Sequence, residues 1–354
     1  MACAAVLARA PGKIILMGEH AALHGCPVFA TAVGLYCEVL VCPRGDGMID
    51  VQLPALQVQR RYTPEELRDY TRHARRRLER YRRAPDVDSF ARVRGADADH
   101  LVKCAIGESL LKLPRDVSPG FTVRVESSIP LDAGFGSSGA LAVSLSAALL
   151  RFFGLDDQPG SIEPLAMSIE RYQHGQPSGI DHHTSLLGSM VERRPSADGG
   201  FTLVSWPVAA MAPLRDVEIY HTGASAQSTG QVVAATRHRL AAPGNPLLAS
   251  MRNSAERFRL LLQQSRPQPE MLKALLSDYE ASLEQLGVVP LAVTRVIRAI
   301  EKAGGAAKIC GAGALSGDRA GALLVVGAPP LRELQAFPKI DAAMAVEGLK
   351  VWCK

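Results

Sequence analysis

Apolar and polar residues alternate through Phe121-Thr-Val-Arg-Val-Glu-Ser127, the period-two signature of a strand with one buried face. From residue 140 to 150 the pattern changes to a near-continuous run of small and aliphatic side chains, which predicts a buried helix. Residues 5–16 and 28–41 are apolar and rich in β-branched types, so each predicts strand, with a loop at 17–25 between them. The stretch 64–83 predicts an exposed helix: a proline and two glutamates open it and arginines close it, as the helix dipole favours. Further helices are predicted over 99–113 and 161–173, and helices dominate 230–303 apart from a loop at 241–246. Strands are predicted over 200–208, 215–221 and 322–326, while Gly175, Pro177 and Gly179 make 171–183 a loop.

Composition narrows this picture. At 354 residues the chain has room for two domains, and an apolar fraction of 47% with 21% charged residues describes an ordinary globular protein. The net charge of +5 is small, but arginines crowd between Arg60 and Arg94. Glu65, Glu66, Asp69 and Glu79 interleave with them, which favours a solvated face over a nucleic-acid surface. Seven cysteines without a C-x-x-C pair argue against zinc knuckles or a disulfide framework and fit a reducing cytoplasm. The first residues lack a basic segment and a long apolar run, so no signal peptide is expected, and no stretch reaches membrane-spanning length.

The chemistry gathers at a few places. Between the alternating strand and the buried helix lie Gly134, Phe135, Gly136, Ser137, Ser138 and Gly139. Glycines let a ligand approach the backbone, and the helix N-terminus offers unpaired N–H groups and partial positive charge to a phosphate. A serine-capped turn would look similar. The loop contains G-x-G-x-x-G, and Asp156 follows at a suitable interval, yet a dinucleotide fold fits poorly. Its first strand is usually continuously apolar, its turn has no place for Pro130 and Asp132, and it usually opens the domain. The lysine of a P-loop and the protein-kinase signatures are missing. Asp181 follows Pro-Ser-Gly-Ile and could orient or deprotonate a hydroxyl, or simply cap a turn. His174, His182 and His183 match no standard zinc spacing, so a structural role is expected of them. Lys13 enters an apolar strand and needs an anionic partner if buried, with Glu19, His20 and His24 shortly after it.

Taken in order, these segments resemble the GHMP superfamily of small-molecule kinases, most closely its mevalonate kinase branch. Ala10-Pro-Gly-Lys-Ile-Ile-Leu-Met-Gly-Glu-His-Ala-Ala-Leu-His-Gly25 is similar to that branch's N-terminal motif, and Pro130 to Ala140 to the superfamily's phosphate loop. His174-Gly-Gln-Pro-Ser-Gly-Ile-Asp181 resembles H-G-x-P-S-G-x-D, and Lys308-Ile-Cys-Gly-Ala-Gly313 the third motif. The resemblance implies an α+β, two-domain GHMP kinase fold, with a ribosomal S5-like N-terminal domain (1–195) and a ferredoxin-like C-terminal domain (196–354). It implies Asp181 and Lys13 as catalytic residues, and Gly134, Phe135, Gly136, Ser137, Ser138 and Gly139 around the nucleotide phosphates. It implies Ser138 and Glu170 as Mg²⁺ ligands, and Glu19, His20, His24, Thr229, Gly311 and Ala312 toward the acceptor. The activity implied is phosphorylation of the 5-hydroxyl of mevalonate by ATP. The alternatives are a sister kinase for phosphomevalonate or a sugar, whose phosphate the arginines of 60–94 would grip, and a non-catalytic ATP-binding relative. It implies a small-molecule partner rather than nucleic acid or membrane, and allows a homodimer. The chain departs from the family pattern at Asp132 (usually glycine), Gly139 (alanine, a mild change), His182 (asparagine) and Cys310 (Ser or Thr).

Overall fold

The structure, a computed structural model, describes residues 5–114, 120–196, 200–264 and 268–354. Cys3 and the opening residues inspected for a signal peptide lie partly outside that set. Strands β1 (Val6–Met17) and β2 (Val28–Arg44) form a long antiparallel hairpin, with register shifts at Pro11/Gly12 and Ile15/Met17. β1 alternates buried and half-buried positions up to Ala10, then is buried without a break. Its second half is therefore covered on both faces, which is why the sequence stops alternating there.

Around this hairpin are β3 (Ile49–Leu53), β4 (Val58–Tyr62), β5 (Gly120–Ser127), β6 (Met190–Pro195) and β7 (Phe201–Trp206). The main path of the sheet runs β1-β2-β5-β3-β4, and β6 and β7 branch from β2. Helix α1 (Pro64–Arg83) has a complete capping box between Thr63 and Glu66 with Pro64 at its first position, so it begins where the sequence predicts. It buries Leu67, Thr71, Ala74, Leu78 and Tyr81 against α2 (Val87–Arg94) and α3 (His100–Leu110). Its arginines meet acids: Arg72 reaches Glu65 at 2.9 Å and Asp69 at 2.6 Å, and Arg75 pairs with Glu108 of α3. Helices α4 (Ser137–Phe152), α5 (Pro159–His174) and α6 (Ile180–Leu187) follow, and α4 and α6 pack across β1 and β2.

The second half contributes β8 (Val217–His221), α7 (Thr229–Thr236), α8 (Pro246–Leu262), α9 (Pro269–Leu286), α10 (Leu291–Lys302), β9 (Ala306–Ile309) and β10 (Ala322–Val326). Its sheet is antiparallel in the order β8-β10-β9, with α9 and α10 against β9. The last strand, β11 (Lys350–Cys353), returns to the first sheet and pairs with β1. The division expected at 195/196 falls between β6 and β7, which pair from Met190↔Trp206 to Pro195↔Phe201.

Two local expectations change. Residues 171–183 are not one loop. α5 runs to His174, α6 begins at Ile180, and Gly175 and Gly179 are the positive-φ residues at the two helix ends (72° and 90°). The glycines mark helix boundaries, so Asp181, His182 and His183 stand on a helix. The loop at 17–25 contains a short 3₁₀ turn, Ala21–His24. Cys26, Cys37, Cys42, Cys104 and Cys310 are free thiols, while Cys353 is disulfide-bonded. No helix among the described residues is long and apolar enough to cross a membrane.

Candidate active site

The loop before α4 owes its shape to residues that permit close approach. Gly134 and Gly136 have φ of 82° and 70°, and Gly136 is the N-cap of α4, with no side chain bonded across the helix end. The serine-capped alternative is therefore absent, and the first amides of α4 lack a side-chain acceptor at their cap. A Cβ on Gly136 would come within 2.7 Å of Lys13 Cγ, so the lysine stem lies flat on the loop. Gly12 is held as tightly: its Cβ would meet the Phe135 carbonyl at 2.8 Å, and the Lys13 N–H donates to that same oxygen at 2.8 Å. Asp132 has φ of 50°, a left-handed conformation that Asp tolerates better than most residues, which accounts for its standing where the family usually has glycine. It is exposed and lines the cavity described below.

Lys13 and Asp181 meet at 3.0 Å (Nζ to Oδ1), the lysine side chain 4% exposed and the aspartate 23%. Lys13 also donates to the Gly134 carbonyl at 3.4 Å. Burial works to raise the Asp181 pKa, but Lys13 foremost among the opposing charges holds it below the usual carboxylate value. Gly139 bears directly on this pair. A Cβ there would sit 2.9 Å from the Asp181 carbonyl carbon and 3.0 Å from the His182 nitrogen, so the change from alanine is not mild. Having glycine lets the first turn of α6 rest on the first turn of α4.

Glu170 lies 1% exposed beside them, and neither of its carboxylate oxygens has a hydrogen-bond partner. Burial first, then the Asp181 charge, pushes its pKa up to about 8. One helical turn on, His174 Nε2 lies 3.0 Å from Ser138 Oγ and 3.8 Å from Glu170 Oε2, and burial pushes its pKa down to about 4. Glu170, His174 and Asp181 each present a ligand atom within 4.8 Å of the others. The structural role expected of His174 is thus corrected: it faces the site, and its i, i+4 spacing from Glu170 on α5 was the available signal.

A cavity of about 250 Å³ opens over these groups and is also lined by Glu19, His20, His24, Thr229, Gly311 and Ala312, so every residue expected toward the acceptor borders it. Glu19 is buried and salt-bridged to Lys308, and its backbone carbonyl accepts from the Tyr279 hydroxyl at 2.8 Å. His20 Nε2 lies 3.1 Å from the Ala312 carbonyl, and burial brings its pKa to about 4, so the ring is neutral with Nε2–H donating. His24 sits near Arg237, and burial, then that charge, lowers its pKa. Tyr81 and Arg237 line the same space, and the sequence carried no motif for either. Of the arginine-rich segment 60–94, Tyr81 is the lining residue among those described.

Residues 100–189 match the family described as the GHMP kinases N terminal domain. The mevalonate kinase of Thermococcus gammatolerans is 30% identical over 87% of this chain and 86% of its own length. That of Thermococcus sibiricus is 28% identical over 98% of both. Among solved structures, the Methanococcus jannaschii mevalonate kinase shares the fold with a TM-score of 0.72, covering 96% of this chain and 98% of that one, at 17% identity. The cavity, its lysine–aspartate pair and its open helix end thus sit within a likeness that runs along most of both chains, and the protein belongs to the mevalonate kinase family of GHMP kinases, phosphotransferases that act on a hydroxyl group.

Proposed function

We propose that the chain transfers the γ-phosphoryl group of ATP to the 5-hydroxyl of mevalonate. The observation that carries this reading is the Lys13–Asp181 pair at 3.0 Å, set beside an uncapped helix end and inside a cavity sized for a small molecule. Phosphoryl transfer through a loose transition state asks for positioning and charge neutralisation more than for a strong base. An Asp181 held ionised is a weak base, suited to orienting the acceptor hydroxyl and taking its proton as the P–O bond forms. Lys13 neutralises charge on the transferring group, and the first amides of α4 hold the phosphates.

The residues fit Mg²⁺, because Glu170 carries two buried carboxylate oxygens without donors and Ser138 adds a hydroxyl beside it. Bound there, the ion would supply charge neutralisation on the phosphates. His174 is better placed to orient Ser138 than to bind this cation, since Mg²⁺ prefers oxygen. Arg237 is an exposed cation lining the cavity and suits the carboxylate end of mevalonate, which galactose lacks. Of the arginines of 60–94, Arg72 and Arg75 are taken up by acids, and Arg94, whose charge reaches His174, is the one a phosphorylated acceptor would use.

The test is an acceptor panel of mevalonate, 5-phosphomevalonate, galactose and homoserine, followed by ATP consumption. Mevalonate turned over with kcat/KM at least about a hundredfold above galactose is expected, the scale of discrimination a charged subsite supplies, and 5-phosphomevalonate and homoserine, which share the carboxylate, test the fit of the rest of the acceptor. Turnover of another acceptor without mevalonate would overturn the assignment.

A further inference from the structure

Behind the catalytic pair, on the side of α6 that faces away from the cavity, stands a second cluster that the proposed reaction does not use. Glu163 on α5 places Oε1 at 3.2 Å from His182 Nε2 and 3.4 Å from His183 Nε2. All three atoms lie within 4.8 Å of one another, the two histidines buried and the glutamate side chain 31% exposed. The imidazole rings are 4.3 Å apart at 33°, so both nitrogens converge on the one carboxylate. We propose that Glu163, His182 and His183 form a binding site for a zinc-like divalent transition metal that clasps α5 to the first turn of α6.

The argument rests on which atoms carry protons. His183 Nδ1 lies 2.7 Å from the Gly179 carbonyl, an acceptor only, so Nδ1 carries the hydrogen and Nε2 presents a lone pair. Burial also keeps this ring neutral, bringing its pKa to about 4. A lone pair and a carboxylate oxygen then face each other at 3.4 Å with no proton to share. A cation between them converts that opposition into two bonds. For His183 the Gly179 carbonyl supplies the fixed partner on the far nitrogen that metal-binding histidines ordinarily have, whereas His182 Nδ1 has none and its Nε2 hydrogen-bonds to Glu163 at 3.2 Å, a contact the cation would replace.

The spacing agrees with the chemistry. Ligands about 2.0–2.1 Å from a tetrahedral zinc stand about 3.3 Å apart, between the two separations found here. Two imidazoles and one carboxylate favour zinc, cobalt or nickel over magnesium. Three protein ligands leave a fourth position, reachable by water past the part-exposed glutamate. Arg193 on β6 and Arg171 on α5 bring positive charge to this group, set against the Glu163 carboxylate and the Asp181 charge beside His182. Affinity is therefore set by the three donors and not by a surplus of negative charge. The set is separate from Glu170, His174 and Asp181, which open onto the cavity.

Co²⁺ reports on the site directly. The full chain, stripped of metal by a chelator and held in excess Mg²⁺ to occupy oxygen-rich positions, is titrated with Co²⁺ and followed by its visible absorption and by Tm. One equivalent giving intense low-symmetry bands and a Tm rise of several degrees is expected. Glu163→Gln, at a part-exposed position that keeps its shape, and His183→Gln should each weaken Co²⁺ by about tenfold or more, and Glu170→Gln should not. Absent bands in the native chain, bands unchanged in a folded Glu163→Gln protein, or bands lost in Glu170→Gln would each overturn the proposal. None of these readouts depends on which acceptor the enzyme phosphorylates.

Discussion

At the scale of single residues, the contact between Gly139 and the Asp181 backbone leads to an expectation that a motif comparison would miss. Gly139→Ala should force α6 away from α4, shift the carboxylate off Lys13 and lower kcat by about tenfold, with nucleotide affinity kept. A variant with unaltered kcat would show that the helices give way without moving Asp181. Asp181→Asn removes the charge while preserving shape, and kcat should fall by about 10²–10⁴ with nucleotide Kd unchanged, as read by steady-state kinetics and nucleotide titration. Glu280, which does not line the cavity, offers a pH effect. It is fully buried, accepts from the Ile309 N–H at 2.9 Å, and burial raises its pKa to about 8. Because the folded value lies above the unfolded one, its contribution is complete below the ordinary glutamate pKa and is lost as pH rises toward 8. Glu280→Gln should therefore match the native Tm near pH 4 and exceed it increasingly up to pH 9, and parallel Tm curves would refute this.

Among elements, the junction of α1, α3 and α5 is held by Glu108. It accepts from Arg75 Nε at 2.9 Å and from the Tyr172 hydroxyl at 2.5 Å. Glu108→Gln should cost about 1–2 kcal/mol in urea denaturation and leave KM for both substrates unchanged, since none of the three residues lines the cavity. The same elements show what could be read in advance. α1 was legible because its cap, its proline and its terminal charges are all local. β3 and β4 were not: each is five residues long, the alternation of Ile49-Asp-Val-Gln-Leu53 is too brief to stand out, and β4 is mostly exposed and does not alternate. α6 was hidden because Gly179, Asp181 and two histidines imitate a loop, and only packing against α4 and the sheet makes the segment helical. Lys13, Ser138, Glu170 and Asp181 could be picked out by motif order, and the fold brings all four together. Arg237 and Tyr81 could not, because their place in the cavity depends on the end of α1 and the turn after α7 both lining it, which no local pattern encodes.

Over the whole molecule, a buried ion pair ties the second sheet to the loop that follows β1. Lys308 of β9 and Glu19 of the N-terminal motif are both almost fully buried, and the lysine stands 5.5 Å from the centre of the Tyr279 ring. Lys308→Met would strand the Glu19 charge and should destabilise the chain by about 3–5 kcal/mol. Adding Glu19→Gln should restore much of that loss, and a double variant no better than the single would place the cost elsewhere.

The return of β11 to β1 has a consequence in time as well as in space. Val6 through Arg9 pair with residues about 340 positions further along. On a ribosome adding about 5–20 residues per second, the first strand waits roughly 20–70 s for its outer neighbour to be made. Through that wait its outer edge stands open to any strand that drifts past. Arg9 lies on that stretch, later stacking against Trp352 of the arriving strand at 5.4 Å. A charge at this position is what discourages wrong pairing while the nascent chain is still incomplete.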